Sequence, residues 1–196
     1  MERSFQIKMP KVETFNRNVV LEKVINLFHE KSYNATTMQD LVDATGLNRS
    51  SIYNSFGSKM EIYQESLRLY RAFANKMIQK VLINSESPLD AIRKIFSAPK
   101  DPRNKGCLIS NCTTEMANQN QKINSFLINN MESMQELFET LIAKGQKEGN
   151  INTEKTAKEY ALYLFAALQG FRITSMILNE QKDLESIVET TLSVLV

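Results

Sequence analysis

Residues 36–59, TTMQDLVDATGLNRSSIYNSFGSK, constrain this chain more than any other stretch. Thr37 with Asp40 three residues on is a capping-box pattern, which marks a helix start. Leu41, Val42 and Ala44 give that helix an apolar side, and Gly46 stops it in the way a C-terminal glycine does. Asn48 caps a second helix, Arg49 to Phe56, in which Ile52 and Phe56 lie four apart and share one face. The opposite face carries Arg49, Ser50, Ser51, Tyr53, Asn54 and Ser55. Hydroxyls and amides reach base edges and phosphates, and Arg grips guanine, so this face suits the major groove of DNA. Gly57 ends the helix, and Ser58 with Glu61 forms a second capping box for a helix that begins at Lys59. Two short helices around a tight turn, the second polar on its outer side, form a helix-turn-helix. Arg49 is its best candidate for base readout.

The remaining chain is helical throughout, with no β alternation, internal repeat or low-complexity tract. Residues 1–11, with Pro10, Arg3, Lys8 and Lys11, lack a helical period and are expected to be a flexible arm or a disordered tail. Phe15, Val20, Val24, Leu27 and Phe28 mark an apolar stripe on a helix over residues 13–31. From Ser58 the pattern runs unbroken to Leu82, a helix of about 25 residues and about 37 Å. That is too long for a three-helix unit alone, so it is expected to enter the next domain as a rigid link. Ser87 and Pro88 start a helix that stops before Pro99, and residues 97–105 form a charged loop. Helices are expected over 106–118, 121–148, 155–179 and 182–195. The helix over 155–179 is apolar on two sides: Tyr160, Leu164, Leu168 and Phe171 on one, Leu162, Phe165, Ile173, Met176 and Ile177 on the other. Such a helix must be buried on both sides, which implies a core on one face and a second subunit on the other. Ala166, Ala167 and Gly170 permit the close approach. With the clean stripe of Leu184, Ile187, Val188, Thr191, Leu192 and Leu195, it forms half of a four-helix dimer interface.

Charge and cysteine content narrow the class. The net charge of +2 lies wholly within residues 1–60, the rest being balanced, so DNA binding rests on a local basic face rather than on the total. No apolar stretch spans a bilayer and no signal-peptide core begins the chain. Cys107 and Cys112, five apart on one helix, point in different directions and are too far apart for a disulfide. The expectation is a reduced cytoplasmic protein, nucleoid-associated when bound to DNA, with no membrane partner. His29, the lone histidine, has no second ligand at metal spacing and is expected to be structural or exposed. There is no glycine-rich phosphate loop, nucleophile elbow or carboxylate pair, so an enzyme, a cofactor and a metal are not expected.

Residues 12–70 resemble the DNA-binding region of the tetracycline-repressor (TetR/AcrR) family of bacterial transcription regulators. The match rests on Leu27-Phe28, Thr36-Thr37, Gly46-Leu47, Ile52-Tyr53 and the run Phe56-Gly57-Ser58-Lys59. Three positions depart from the family pattern. Ser32 replaces a usual glycine, Met60 a usual glutamate, and Asn54-Ser55 the aromatic or histidine pair before Phe56. The resemblance implies an all-α fold with a three-helix helix-turn-helix domain at residues 1–57. A helical effector-binding and dimerisation domain would occupy residues 58–196. It implies a homodimer on a palindromic double-stranded operator, pairing through helices 155–179 and 182–195, and a small-molecule effector. By the same resemblance Thr37, Tyr53 and Lys59 hold phosphates, while Asn48, Arg49, Ser50, Ser51, Asn54 and Ser55 face bases or backbone.

The effector set is drawn from the many Met and Phe residues between 70 and 180, which suit adaptable apolar cavities but at helical spacing are also ordinary core, together with Cys107 and the polar residues near them. The candidates are Phe73, Met77, Cys107, Asn111, Met116, Met134, Phe138, Phe165, Gln169 and Arg172. Cys107, at a helix start beside Arg103 and Lys105, has the setting of a lowered thiol pKa, and so of a covalent oxidant or electrophile signal. Against this stands the small buried hydrophobe that free cysteine usually is. The reading from a different class is a helical protein-interaction module that does not bind DNA.

Overall fold

A computed structural model of the chain describes residues 15–97, 106–178 and 180–196. The possible arm at 1–11 and most of the loop at 97–105, with Arg103 and Lys105, lie outside the described residues. The described residues form nine α-helices: α1 (Arg17–Ala35), α2 (Met38–Thr45), α3 (Arg49–Phe56), α4 (Lys59–Ile83), α5 (Pro88–Phe96), α6 (Leu108–Met116), α7 (Gln121–Glu148), α8 (Ala157–Thr174) and α9 (Gln181–Leu192). A 3-10 turn, Ser193–Leu195, closes the chain.

Local capping sets most boundaries. The Thr37–Asp40, Ser58–Glu61 and Thr156–Glu159 pairs all form reciprocal capping boxes. Asn16, Asn48, Ser87 and Asn120 each accept from backbone amides of the turn they start. Four expected boundaries are corrected. The first helix starts at Arg17, not 13, because Asn16 caps it, and it runs on to Ala35 across a kink at Ser32. The helix expected from 106 starts at Leu108, since Gly106 sits at φ 71 and Cys107 is extended. The helix expected over 155–179 spans 157–174. Thr156 caps its start, and at its end Met176 and Ile177 bond three residues back, which tightens the chain out of the α-helix. The last helix starts at Gln181, and its α-helical part ends at Leu192.

Two apolar clusters organise the packing. The first joins α1–α4 to α6 and the start of α7, through Val24, Phe28, Leu41, Ile52, Phe56, Ile62, Tyr63 and Leu67 with Leu108, Cys112, Met116 and Ile123. The second joins α5, α7, α8 and α9 around Ile92, Phe96, Phe138, Ile142, Leu164, Leu168 and Val188. The long α4 contributes to both, through Leu67 in the first and Val81 in the second. On α8 the Tyr160, Leu164, Leu168, Phe171 stripe is the core-facing one. On its other side Leu162, Tyr163 and Ile173 remain exposed in the single chain, and open space lies beside Gly170.

Candidate DNA-reading face and internal cavity

The turn between α2 and α3 depends on Gly46, whose φ of 74 is a left-handed conformation that side chains with a Cβ rarely adopt. Behind the recognition helix α3, Ile52 and Phe56 are buried against the first cluster. Arg17 clamps the end of α3. It makes two hydrogen bonds to Glu65, at 3.0 and 2.7 Å, donates to the Ser55 carbonyl oxygen at 2.9 Å, and lies over the Phe56 ring. The outward face is thereby presented on a rigid support. Asn48, Arg49, Ser50, Tyr53 and Asn54 are exposed, while Ser51 and Ser55 are half-buried at its edges. Arg49 lies over the Tyr53 ring, and the Asn54 amide donates to the Ser50 hydroxyl at 3.4 Å. The Asn48 side-chain oxygen is engaged by the Ser51 amide, so it caps the helix.

Thr37 is exposed at the start of α2, its hydroxyl shared with Asp40. The Lys31 ammonium, followed by the Thr37 amide and hydroxyl, holds the Asp40 carboxyl down at about 2. Lys59 is half-buried. Its ammonium donates to the Tyr33 and Thr36 carbonyl oxygens, at 2.9 and 2.7 Å, and lies over the Tyr33 ring. It ties the end of α1 to the start of α4.

Above this unit is a cavity of about 580 Å³. Its wall is built from six helices: Ile25 and His29 of α1, Tyr70, Phe73, Met77 and Ile78 of α4, and Ile95 and Phe96 of α5. Cys107 and Ile109 come from the start of α6, Met134 from α7, and Leu168, Phe171 and Arg172 from α8. Of the sequence candidates, Phe73, Met77, Cys107, Met134 and Arg172 line it. The others lie elsewhere. Met116 is in the first cluster, because the Leu108, Cys112, Met116 row turns toward α1 and α4. Phe138 is buried in the second cluster and Phe165 packs against it. Gln169 accepts a hydrogen bond from Ser110 at 2.6 Å and so ties α8 to α6. Asn111 sits on α6 away from the lining. Sequence reasoning missed the α1 contribution (Glu22, Ile25, Asn26 and His29) and Tyr70. Ile25 and His29 form an i, i+4 row beside the α1 stripe, which alone would have marked a second apolar contact.

Cys107 is half-buried where α6, α4 and α8 meet. Burial alone would raise its thiol. The Arg172 guanidinium, the Ser110 amide and hydroxyl and the Tyr70 hydroxyl outweigh burial, and the thiol lies below its ordinary value. The Tyr70 hydroxyl is correspondingly pushed up, first by burial and then by Cys107. Cys112 is the opposite case: it is fully buried, and burial pushes its thiol up to about 11. Both cysteines are free thiols. Among the described residues, no helix is long and apolar enough to cross a membrane, and no cluster of His, Cys, Asp and Glu could hold a metal ion.

A capped helix-turn-helix whose second helix offers a polar, cationic face defines a DNA-binding protein of the helix-turn-helix class. The comparisons with known proteins make the class specific. Residues 20–65 match the bacterial regulatory proteins of the tetR family, and residues 89–191 match the tetracyclin repressor-like C-terminal domain. The chain belongs to the tetracycline-repressor family, and is a DNA-binding transcriptional regulator rather than an enzyme. It is 26% identical to the HTH-type transcriptional regulator YezE of Bacillus subtilis over 95% of this chain and 100% of that protein. It is 29% identical to the HTH-type transcriptional repressor ComR of Escherichia coli over 93% of this chain and 89% of that one. Its fold matches that of the TetR-family regulator CifR in complex with double-strand operator DNA, with a TM-score of 0.79 at 19% identity, over 93% of this chain and 98% of that one.

Proposed function

We propose that this chain is a homodimeric repressor that is released from a palindromic operator when a small molecule occupies the cavity. The observation that carries the reading is the composition of the cavity wall. Ile25 and His29 of α1 and Tyr70 and Phe73 of α4 belong to two helices that brace the recognition helix, α1 through Arg17 at the Ser55 carbonyl oxygen and the Phe56 ring, and α4 through the shared apolar cluster. An occupant therefore touches the supports of the DNA-reading face directly. Residues 1–57 act as the reader and residues 58–196 as the sensor and dimer half. The exposed apolar side of α8, where Ile173 is 49% and Leu162 48% exposed and Gly170 is uncovered, supports pairing with a second copy. Two recognition helices then enter successive major grooves, about 34 Å apart. By linkage, an effector that weakens operator binding must bind the DNA-free form more tightly, by the same factor. The protein works in the cytoplasm, on the nucleoid when bound.

A second reading concerns the signal. Cys107 lines the cavity with a lowered thiol, which favours a covalent electrophile or oxidant signal at that atom. Retention of the full response in Cys107→Ser would remove it.

The test is selection of bound duplexes from a random pool, followed by fluorescence anisotropy of the selected and an unrelated duplex at low and physiological salt. The expected result is tight binding to the selected duplex only, weakened by Arg49→Ala and by salt. Equal, weak binding to both duplexes removes the repressor reading. No binding at either salt removes it as well.

A further inference from the structure

We infer that Glu115 is the positioning residue through which α6 couples the cavity to the helix-turn-helix, an inference that rests on the regulatory reading above. α6 is a nine-residue helix, about 13 Å from end to end. One end is at the cavity, where Cys107 stands at the N-cap position and Ile109 follows. The other end meets the last turn of α1, beyond its kink. There the Glu115 carboxylate accepts two backbone hydrogen bonds, from Tyr33 at 3.0 Å and from Asn34 at 2.7 Å. These are the two amides directly after the kink at Ser32. Three residues further on, Thr37 caps α2.

The same turn is held from its other side by Lys59, through the Tyr33 and Thr36 carbonyl oxygens. Lys59 opens α4, so that contact stays within the unit that carries the recognition helix. Glu115 belongs to the helix that starts at the cavity. α6 also meets α4 through the Tyr70 hydroxyl at Cys107 and the Tyr63 hydroxyl at Cys112, both weak bonds to sulfur, and packs on α1 and α4 through the apolar Leu108, Cys112 and Met116. Apolar contacts are non-directional and let helices slide, whereas a carboxylate held by two amides is charge-assisted and directional. A displacement of the cavity end of α6 is therefore delivered, through a short rigid helix, to the backbone that positions the start of α2.

The test uses N-ethylmaleimide as a defined perturbation at the cavity end. The Cys107 sulfur bonds to one alkene carbon, and the other alkene carbon takes a proton from water, so the C=C bond becomes a C–C single bond. Cys112 is buried with a raised thiol and reacts slowly, and mass spectrometry confirms a single adduct. Operator affinity and amide exchange at Tyr33 and Asn34 are measured with and without the adduct, in the wild type and in Glu115→Ala. In the wild type the adduct is expected to weaken operator binding at least tenfold and to speed exchange at both amides. In Glu115→Ala exchange is already fast, unmodified binding stays within about threefold of wild type, and the adduct changes it less than twofold. That loss of response is a coupling term, which a merely structural contact would not produce. Glu115→Gln, which keeps volume and one acceptor oxygen, should fall between the two, and it decides the matter if the alanine variant melts too low to assay. An equal loss of operator affinity in all three proteins overturns the inference and leaves the regulatory reading standing. Faster exchange in the wild type with unchanged operator affinity overturns the regulatory reading but keeps the grip. No change in either overturns both.

Discussion

The DNA-reading unit and the cavity differ in how much chain each is made from. The reading face is written in twenty consecutive residues, from the Thr37 cap to Phe56, and each boundary in it is set by a neighbour no more than four residues away. The cavity takes side chains from six helices between Glu22 and Ser175. A local site of this kind tolerates drift elsewhere in the chain, while a distributed site changes whenever any of its walls moves. That asymmetry fits a regulator in which one region must keep its shape on DNA and the other must respond.

Substitutions can break or sharpen this contrast. The largest effect is expected at Ile52, which is 0% exposed behind the recognition helix. Ile52→Ala should cost about 2–5 kcal/mol of stability, read by chemical denaturation, and should weaken binding to every duplex alike. Arg49→Ala should leave the melting temperature unchanged while removing about 1–3 kcal/mol of discrimination at one base pair, measured by anisotropy on single-base operator variants. Loss of affinity for all duplexes equally would instead place Arg49 on the backbone. In the cavity, Arg172→Met removes the cation that favours the Cys107 thiolate, so alkylation of Cys107 at neutral pH should slow severalfold while the fold persists.

Smaller effects test the caps. Thr37→Ala should cost about 1 kcal/mol. The Asp40 carboxyl is depressed to about 2, first by Lys31 and then by Thr37, so its contribution to stability is complete above the ordinary carboxylate range and is lost as pH falls from about 4 toward 2. Asp40→Asn should flatten that part of a melting-temperature profile, and an unchanged profile would show that the capping box is not formed in solution. An effect of similar size and opposite sign is expected at Ser32, which at φ 61, ψ 173 is the one non-glycine residue of positive φ among the described residues. That conformation is close to glycine-only and costs a side chain about 1–3 kcal/mol, against about 0.5–1 for the added freedom of an unfolded glycine. Ser32→Gly should therefore stabilise the protein by about 0–2.5 kcal/mol, a rise in melting temperature without change in DNA specificity.

Much of the helix-turn-helix was legible in the sequence because its determinants are local. Thr37 with Asp40, Gly46, Asn48, Ser58 with Glu61 and the Ile52, Phe56 pair all act within a few residues, and α2, α3 and α4 lie where those signals place them. The cavity was half legible. Phe73, Met77, Cys107, Met134 and Arg172 were singled out and do line it, yet Met116 and Phe138 have the same character and fill the two cores instead. Spacing along a helix says which residues share a face. It does not say whether that face meets another helix or a void.

What the amino-acid sequence by itself determined is the all-α class, the capped helix-turn-helix and the polar face of α3, because caps, turns and helical periods are properties of near neighbours in the chain. Only the tertiary structure decided which apolar residues were left without packing partners, what lowers the Cys107 thiol, and which backbone Glu115 holds. The first depends on how six helices fail to fill the space between them. The second joins Cys107 to Tyr70 and Arg172 on two other helices, and the third joins Glu115 to residues 81 and 82 positions earlier in the chain. Distances of that kind are set by packing, and no local rule encodes them.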